Sequence, residues 1–196
     1  MKTRMTMITL AVSALFALPV LAQNTADVIQ RDVNQQQRIE NGLKSGQLST
    51  KEAARLEKGE ANIDKMEQRA LSDGKMTKAE KQKIEAAENK ESQAIARAKN
   101  NAITGDPNSA SSQRMQADVQ RNVNQETRIE QGVKSGQLTN REGANLEKGQ
   151  ARVDSKEAKA GANGHISADE QRNIQAAENH QSKRIYNKKH NEHVRQ

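Results

Sequence analysis

Residues 31–100 return as residues 121–190 at a constant offset of 90, with 33 of the 70 positions identical. Any fold the chain adopts must use one structural unit twice. Arg31-Asp32-Val33-Asn34-Gln35 comes back as Arg121-Asn122-Val123-Asn124-Gln125, Leu56-Glu57-Lys58-Gly59 as Leu146-Glu147-Lys148-Gly149, and Ala86-Ala87-Glu88-Asn89 as Ala176-Ala177-Glu178-Asn179. Between the copies, Gly105-Asp106-Pro107 and a run of Asn, Ser and Ala mark a linker over residues 101–112. The duplication divides the chain into a first repeat over 23–100, the linker, and a second repeat over 113–193.

Composition limits how thick such a unit can be. Among 196 residues there is no Trp or Cys, one Phe and one Tyr, so neither a wide aromatic core nor a disulfide framework is available. The apolar residues recur at spacings of three and four: Val28, Ile29, Val33, Ile39 and Leu43; then Ala53, Leu56, Ile63, Met66 and Ala70; then Ile84, Ala87, Ile95 and Ala98. That period is helical, the stripe is narrow, and no stretch alternates as a strand does. The expected fold is all-α, with two tandem three-helix modules joined by the short linker. Each module is either an up-down-up bundle or a pair of EF-hand-like units. Leu56, Ile63 and Ala70 keep one register across Gly59, which favours an unbroken central helix and hence the bundle.

Four glycine loops punctuate the repeats. Ser45-Gly46-Gln47-Leu48-Ser49 and Ser135-Gly136-Gln137-Leu138-Thr139 are near copies; Asp73-Gly74-Lys75-Met76-Thr77 and Asn163-Gly164-His165-Ile166-Ser167 keep the same grammar. Each is followed by Glu three residues after its Ser or Thr: Glu52, Glu142, Glu80 and Glu170. This is a glycine stop followed by a capping box, in which the hydroxyl and the Glu satisfy backbone donors of the next helix.

The same loops resemble the second half of an EF-hand calcium loop, with Gly at the turn, an apolar residue two later and Glu at the closing position. Their close spacing, 16 residues between Glu52 and Arg69, is similar to that of the lanmodulin type of exported lanthanide binder. The resemblance implies a calcium, lanthanide or transition-metal ion held by Asp73, Thr77 and Glu80, and by Asn163, Ser167 and Glu170 in the second copy. The loops depart from the pattern at their first position, which holds Asn41, Arg69, Gln131 and Lys159. With one carboxylate per loop where calcium takes six to eight oxygens, low affinity is expected. His190 and His193, at i and i+3, form a second candidate metal pair.

At the amino terminus, Lys2 and Arg4 precede an apolar run ending at Leu18, Pro19 and the small-residue sequence Val20-Leu21-Ala22. Residues 1–22 read as a secretory signal peptide, and the run is too short to span a bilayer. The expected location is periplasmic or secreted, with no transmembrane segment in the mature chain.

Catalytic signatures are lacking: there is no cysteine nucleophile, no Ser-His-Asp spacing and no phosphate-cradling glycine loop. Acid pairs such as Glu85 with Glu88 read as solvated helix faces. The net charge is +7, and Lys183, Arg184, Lys188, Lys189 and Arg195 crowd a basic, histidine-containing tail over 183–196. An anionic envelope component or a protein partner fits such a tail. Nucleic acid does not fit, because basic residues elsewhere alternate with acids and Tyr186 is the sole aromatic after residue 22, so no stacking platform is available. The sequence therefore points to a non-enzymatic, exported helical binding protein, with a periplasmic metal-ion binder as the alternative.

Overall fold

The helices begin where the capping boxes stand. In a computed structural model, which describes residues 18–191, Ser49 Oγ accepts from the Glu52 amide at 3.3 Å while Glu52 Oε2 accepts from the Ser49 amide at 3.0 Å. The same reciprocal pair opens three further helices, at Thr77 and Glu80, Thr139 and Glu142, and Ser167 and Glu170. The four loop glycines sit at φ between 73° and 90°, the left-handed region that only glycine enters without cost. The elements are α1 (Leu18–Lys44), α2 (Thr50–Ala70), α3 (Lys78–Lys99), α4 (Ala110–Ser135), α5 (Asn140–Ala160), a 3-10 turn (Gly161–Asn163) and α6 (Ala168–Lys189). No strand occurs among the described residues. Most of the expected signal peptide, residues 1–17, lies outside them, as do residues 192–196 with His193 and Arg195. No described helix is long and apolar enough to cross a membrane.

The chain is all-α, with three helices per copy, but the copies do not close on themselves. The most extensive packing runs between them, α2 along α5 and α1 along α4. Both pairs are antiparallel. Ala26 and Ile29 of α1 join Ile129 and Val133 of α4 in one apolar cluster, while Ile39 and Leu43 join Met115 and Val119 in another. On the other pair, Gly161 at the end of α5 faces Thr50 and Ala54 at the start of α2, and Asn140 donates to the Gly74 carbonyl at 2.9 Å. α3 leans on α1 and α2, and α6 on α4 and α5. The result is a four-helix core of α1, α2, α4 and α5 with two flanking helices, in place of two bundles side by side. A stripe of Ala, Val and single Leu or Ile residues is too narrow to bury itself within one copy; a second copy of the same stripe doubles the buried face.

Helix α2 runs unbroken through Gly59, and α5 through Gly149. A Cβ at Gly59 would lie 2.1 Å from Glu91 Oε2, and one at Gly149 would lie 2.0 Å from Gln181 Oε1. These glycines are clefts that let a polar side chain from the flanking helix reach the central one.

Because each copy finishes the other's core, residues 24–109 expressed alone should either lose most of their helical circular dichroism or self-associate into a dimer. Sedimentation of a monomer with the full helix content of three helices would contradict the shared core.

Candidate metal centre

The residues singled out in the loops are engaged with their own backbone. Asp73 Oδ1 accepts from the Lys75 amide at 2.9 Å, and Thr77 Oγ1 donates to Glu80 Oε2 at 2.6 Å. Asn163 Oδ1 accepts from the His165 amide at 2.7 Å, and Ser167 Oγ donates to Glu170 Oε2 at 2.8 Å. The structure thus brings Thr77 to Glu80 and Ser167 to Glu170, as helix caps. The cap bonds hold Glu80 and Glu170 below the usual carboxylate range, through Thr77 and Ser167 respectively. His190 stacks on Tyr186 with ring centroids 4.1 Å apart, its Nδ1 2.7 Å from the Tyr186 carbonyl; His193 lies outside the described residues. The first part of the basic tail belongs to α6 and is docked, with Arg184 donating to the Asn145 carbonyl at 2.6 Å and Lys189 to the Arg128 carbonyl at 3.1 Å.

Carboxylates converge in threes elsewhere, in the middle of the four-helix core. On α2, Glu57, Glu60, Asp64 and Glu67 follow at spacings of three, four and three, so they share one face over roughly 15 Å of helix. On α5, the same positions hold Glu147, Gln150, Asp154 and Glu157. Antiparallel packing turns the two stripes toward each other. Asp32 from α1, Glu126 from α4, Glu88 from α3 and Glu178 from α6 close the sides. Three groups result, each with carboxylate oxygens within 4.8 Å of one another: Asp32, Glu67 and Glu88; Asp64, Glu126 and Glu147; Glu57, Asp154 and Glu157. Glu88, expected on a solvated face, is wholly buried. Its reach into the core follows from the way α3 leans across α1 and α2.

Among the described residues sixteen acids are buried, and no Lys, Arg or His is. The nearest bases are half-exposed arginines at the edges: Arg31 Nη1 lies 3.0 Å from Glu88 Oε2 and Arg121 Nη1 lies 3.3 Å from Glu178 Oε2. Asp32, Glu60, Glu67 and Glu147 have both carboxylate oxygens buried without a hydrogen-bond partner, and Asp64, Glu57 and Glu126 have one each. A buried charge without a partner is far costlier than one fold of this size tolerates. The carboxyls respond as the physics requires. Burial, reinforced by the neighbouring carboxylates, raises Glu60, Asp64, Glu67, Glu126, Glu147, Asp154 and Glu157 well above the ordinary range. Burial lifts Asp32 and Glu57 to about 8, and Glu88 to about 7.

Such a core has two ways to be neutral: its carboxyls take up protons, or they surround cations. Its donor atoms are carboxylate oxygens with a few amides and no sulfur or imidazole, a set suited to hard cations such as calcium, manganese or a lanthanide. Sequence reasoning missed these residues because Arg55, Lys58, Lys65 and Arg69 interleave with them; those four bases are exposed and point outward. One signal was present: Glu57, Asp64, Glu67 and Glu88 recur unchanged as Glu147, Asp154, Glu157 and Glu178. No protein-family model, curated protein or solved structure matches the chain.

The raised carboxyls fix the sign of a pH effect. Unfolded, Asp32, Glu57 and Glu88 titrate near 4; folded and cation-free, Asp32 and Glu57 keep their protons to about 8 and Glu88 to about 7. Their contribution is fully present below pH 4 and is lost progressively from there, at about 1.4 kcal/mol per pH unit for each retained proton, until pH has risen through the folded values of about 7 to 8. In a chelating buffer the melting temperature should therefore fall between pH 6 and pH 9. Thermal melts that stay flat or rise over that interval would show that the acids are not buried as carboxylic acids.

Proposed function

We propose that this chain is a non-enzymatic binding protein that holds multivalent, oxygen-seeking cations inside its helical core. The observation that carries the reading is the buried carboxylate array itself, with its orphaned oxygens and, among the described residues, no buried base to neutralise them. Bound cations supply the missing positive charge, so binding and folding are one equilibrium. In this reading the two repeats are the halves of a single container, and the EF-hand-like loops start and stop helices without contributing ligands. In the same reading residues 1–22 are an export leader, and the protein acts in the periplasm or outside the cell, where it would meet free cations.

A second observation supports the expectation of an anionic partner. With most acids turned inward, the exterior is more basic than the net charge of +7 conveys. Once the interior is neutralised, the outside presents mainly Lys and Arg, a surface suited to an anionic envelope component.

Chelator-stripped protein titrated with calcium, manganese or terbium should show saturable heat and a rise in melting temperature. At a hundredfold excess over Kd each ion contributes about 2.7 kcal/mol, or roughly 5–10 °C for a chain of this length. Asp64→Asn with Glu147→Gln should remove most of that shift, whereas Asp73→Asn with Glu80→Gln should leave the number of bound ions unchanged. Absence of heat and of any thermal shift with all three ions would overturn the proposal.

A further inference from the structure

The offset of 90 makes each copy a control for the other. Taking the core position by position, four acids face an amide in the other copy: Asp32 against Asn122, Glu126 against Gln36, Glu60 against Gln150, and Glu91 against Gln181. Two of the exchanges, at Asp32 and Glu126, fall within the carboxylate triads, whereas Glu91 lies beside Glu57 and its counterpart Gln181 reaches α5 at Gly149. Because the copies pack antiparallel, Asp32 and Glu126 meet at one end of the array while Asn122 and Gln36 meet at the other.

At the amide end the protein supplies its own donors. Asn122 Nδ2 lies 2.9 Å and 3.1 Å from the two oxygens of Glu157 and 3.2 Å from Asp154 Oδ1. Gln36 Nε2 donates to Glu57 Oε2 at 3.0 Å, and Gln171 Nε2 to Asp118 Oδ1 at 2.6 Å. Neither Asp154 nor Glu157 has an orphaned oxygen, although Glu57 and Asp118 keep one each and Glu178 has only Arg121 against its Oε2. At the acid end the equivalent donors are gone. The four oxygens of Asp32 and Glu67 are buried without a hydrogen-bond donor, together with both of Glu147 and one each of Asp64 and Glu126, and Glu88 has Arg31 alone, against its Oε2.

Resting on the cation reading above, we infer that the two ends have diverged: the acid end is a dinuclear site for two hard divalent or trivalent cations, and the amide end is sealed by Asn122 and Gln36. One ion sits among Asp32, Glu67 and Glu88, the other among Asp64, Glu126 and Glu147. Glu67, three residues from Asp64 on the same helix face, is the carboxylate placed to bridge them. Three carboxylates offer each ion up to six oxygens, the lower bound for calcium-like coordination. The six carboxylates, with Arg31 against Glu88, carry a charge that two such cations cancel to within one unit. This is the balance a core without buried bases requires. The two triads do not fill independently, because each ion relieves the repulsion that its neighbours suffer.

The test uses the full chain, chelator-stripped, with terbium and manganese as separate probes and bound metal counted by equilibrium dialysis and elemental analysis. The native protein should hold two ions tightly. Asp32→Asn with Glu126→Gln, which installs amides already accepted at the equivalent positions, should lower the affinity for both ions at least a hundredfold while leaving helix content unchanged. The reverse pair, Asn122→Asp with Gln36→Glu, should raise the count above two, and does not depend on the first variant folding. Three or four equivalent ions in the native chain, or an unchanged count in both variants, would overturn the inference while leaving cation binding intact. No binding of either probe to the native chain would overturn the cation reading itself and this inference with it.

Discussion

The packing of α2 antiparallel on α5 sets the terms for everything else in this molecule, because it takes two acidic helix faces and removes both from water. A carboxylate in the interior loses its hydration, and a like charge at 4.8 Å or less compounds the loss. Neither effect is offset here by a buried lysine or arginine. The apolar contacts are modest, mostly Ala, Val, Ile and Leu in three clusters. They are enough to hold the helices together only if the electrostatic cost is cancelled by protons or cations. The fold's stability and its occupancy are therefore the same question.

The duplication explains how such an arrangement arises from so little sequence. One acidic stripe on one helix faces solvent at no cost, as acidic stripes usually do. Two copies related by an approximate twofold bring stripe against stripe and multiply the carboxylates at the interface, with no new residue type needed. Glycine then admits the flanking helices. Gly59 lets Glu91 approach α2, and Gly149 lets Gln181 and Arg184 approach α5. Once symmetric, the array is free to differentiate by single-atom changes, since Asp to Asn and Glu to Gln alter charge and hydrogen-bonding sense with almost no change of shape.

Much of the fold was legible in the sequence. The capping boxes and left-handed glycines place the helix starts and stops, and the single register of Leu56, Ile63 and Ala70 marks α2 as continuous. What the sequence leaves open is the partner of each face. An apolar stripe says which side of a helix is buried, but not whether Ile39 packs against its own copy or, as it does, against Met115 and Val119 of the other. The site was hidden for a related reason. Glu57 beside Lys58 and Asp64 beside Lys65 look like ordinary solvated alternation, yet 100° per residue puts the acids inside and the bases outside. The Asp73 and Asn163 loops attracted attention because their glycine and Glu spacing fits both a cap and half of a calcium loop. In the structure those oxygens are committed to backbone donors.

The loops still matter to the core, through geometry and not through ligation. Convergence of three carboxylates to within 4.8 Å demands that α1, α2, α4 and α5 hold fixed rotations about their axes. A slip of one residue at a helix start turns every downstream side chain by about 100°, which would carry Asp64 from the interior to the surface. Each capping box fixes the first residue of its helix. The Leu48 and Leu138 anchors, packed against Gly42 and Gly132, fix the approach angle of the preceding loop. The grammar shared by the four loops, glycine then an apolar anchor then a hydroxyl with its glutamate, is thus what keeps the acidic faces in phase. Its recurrence in both copies follows from the demands of the core as much as from descent by duplication.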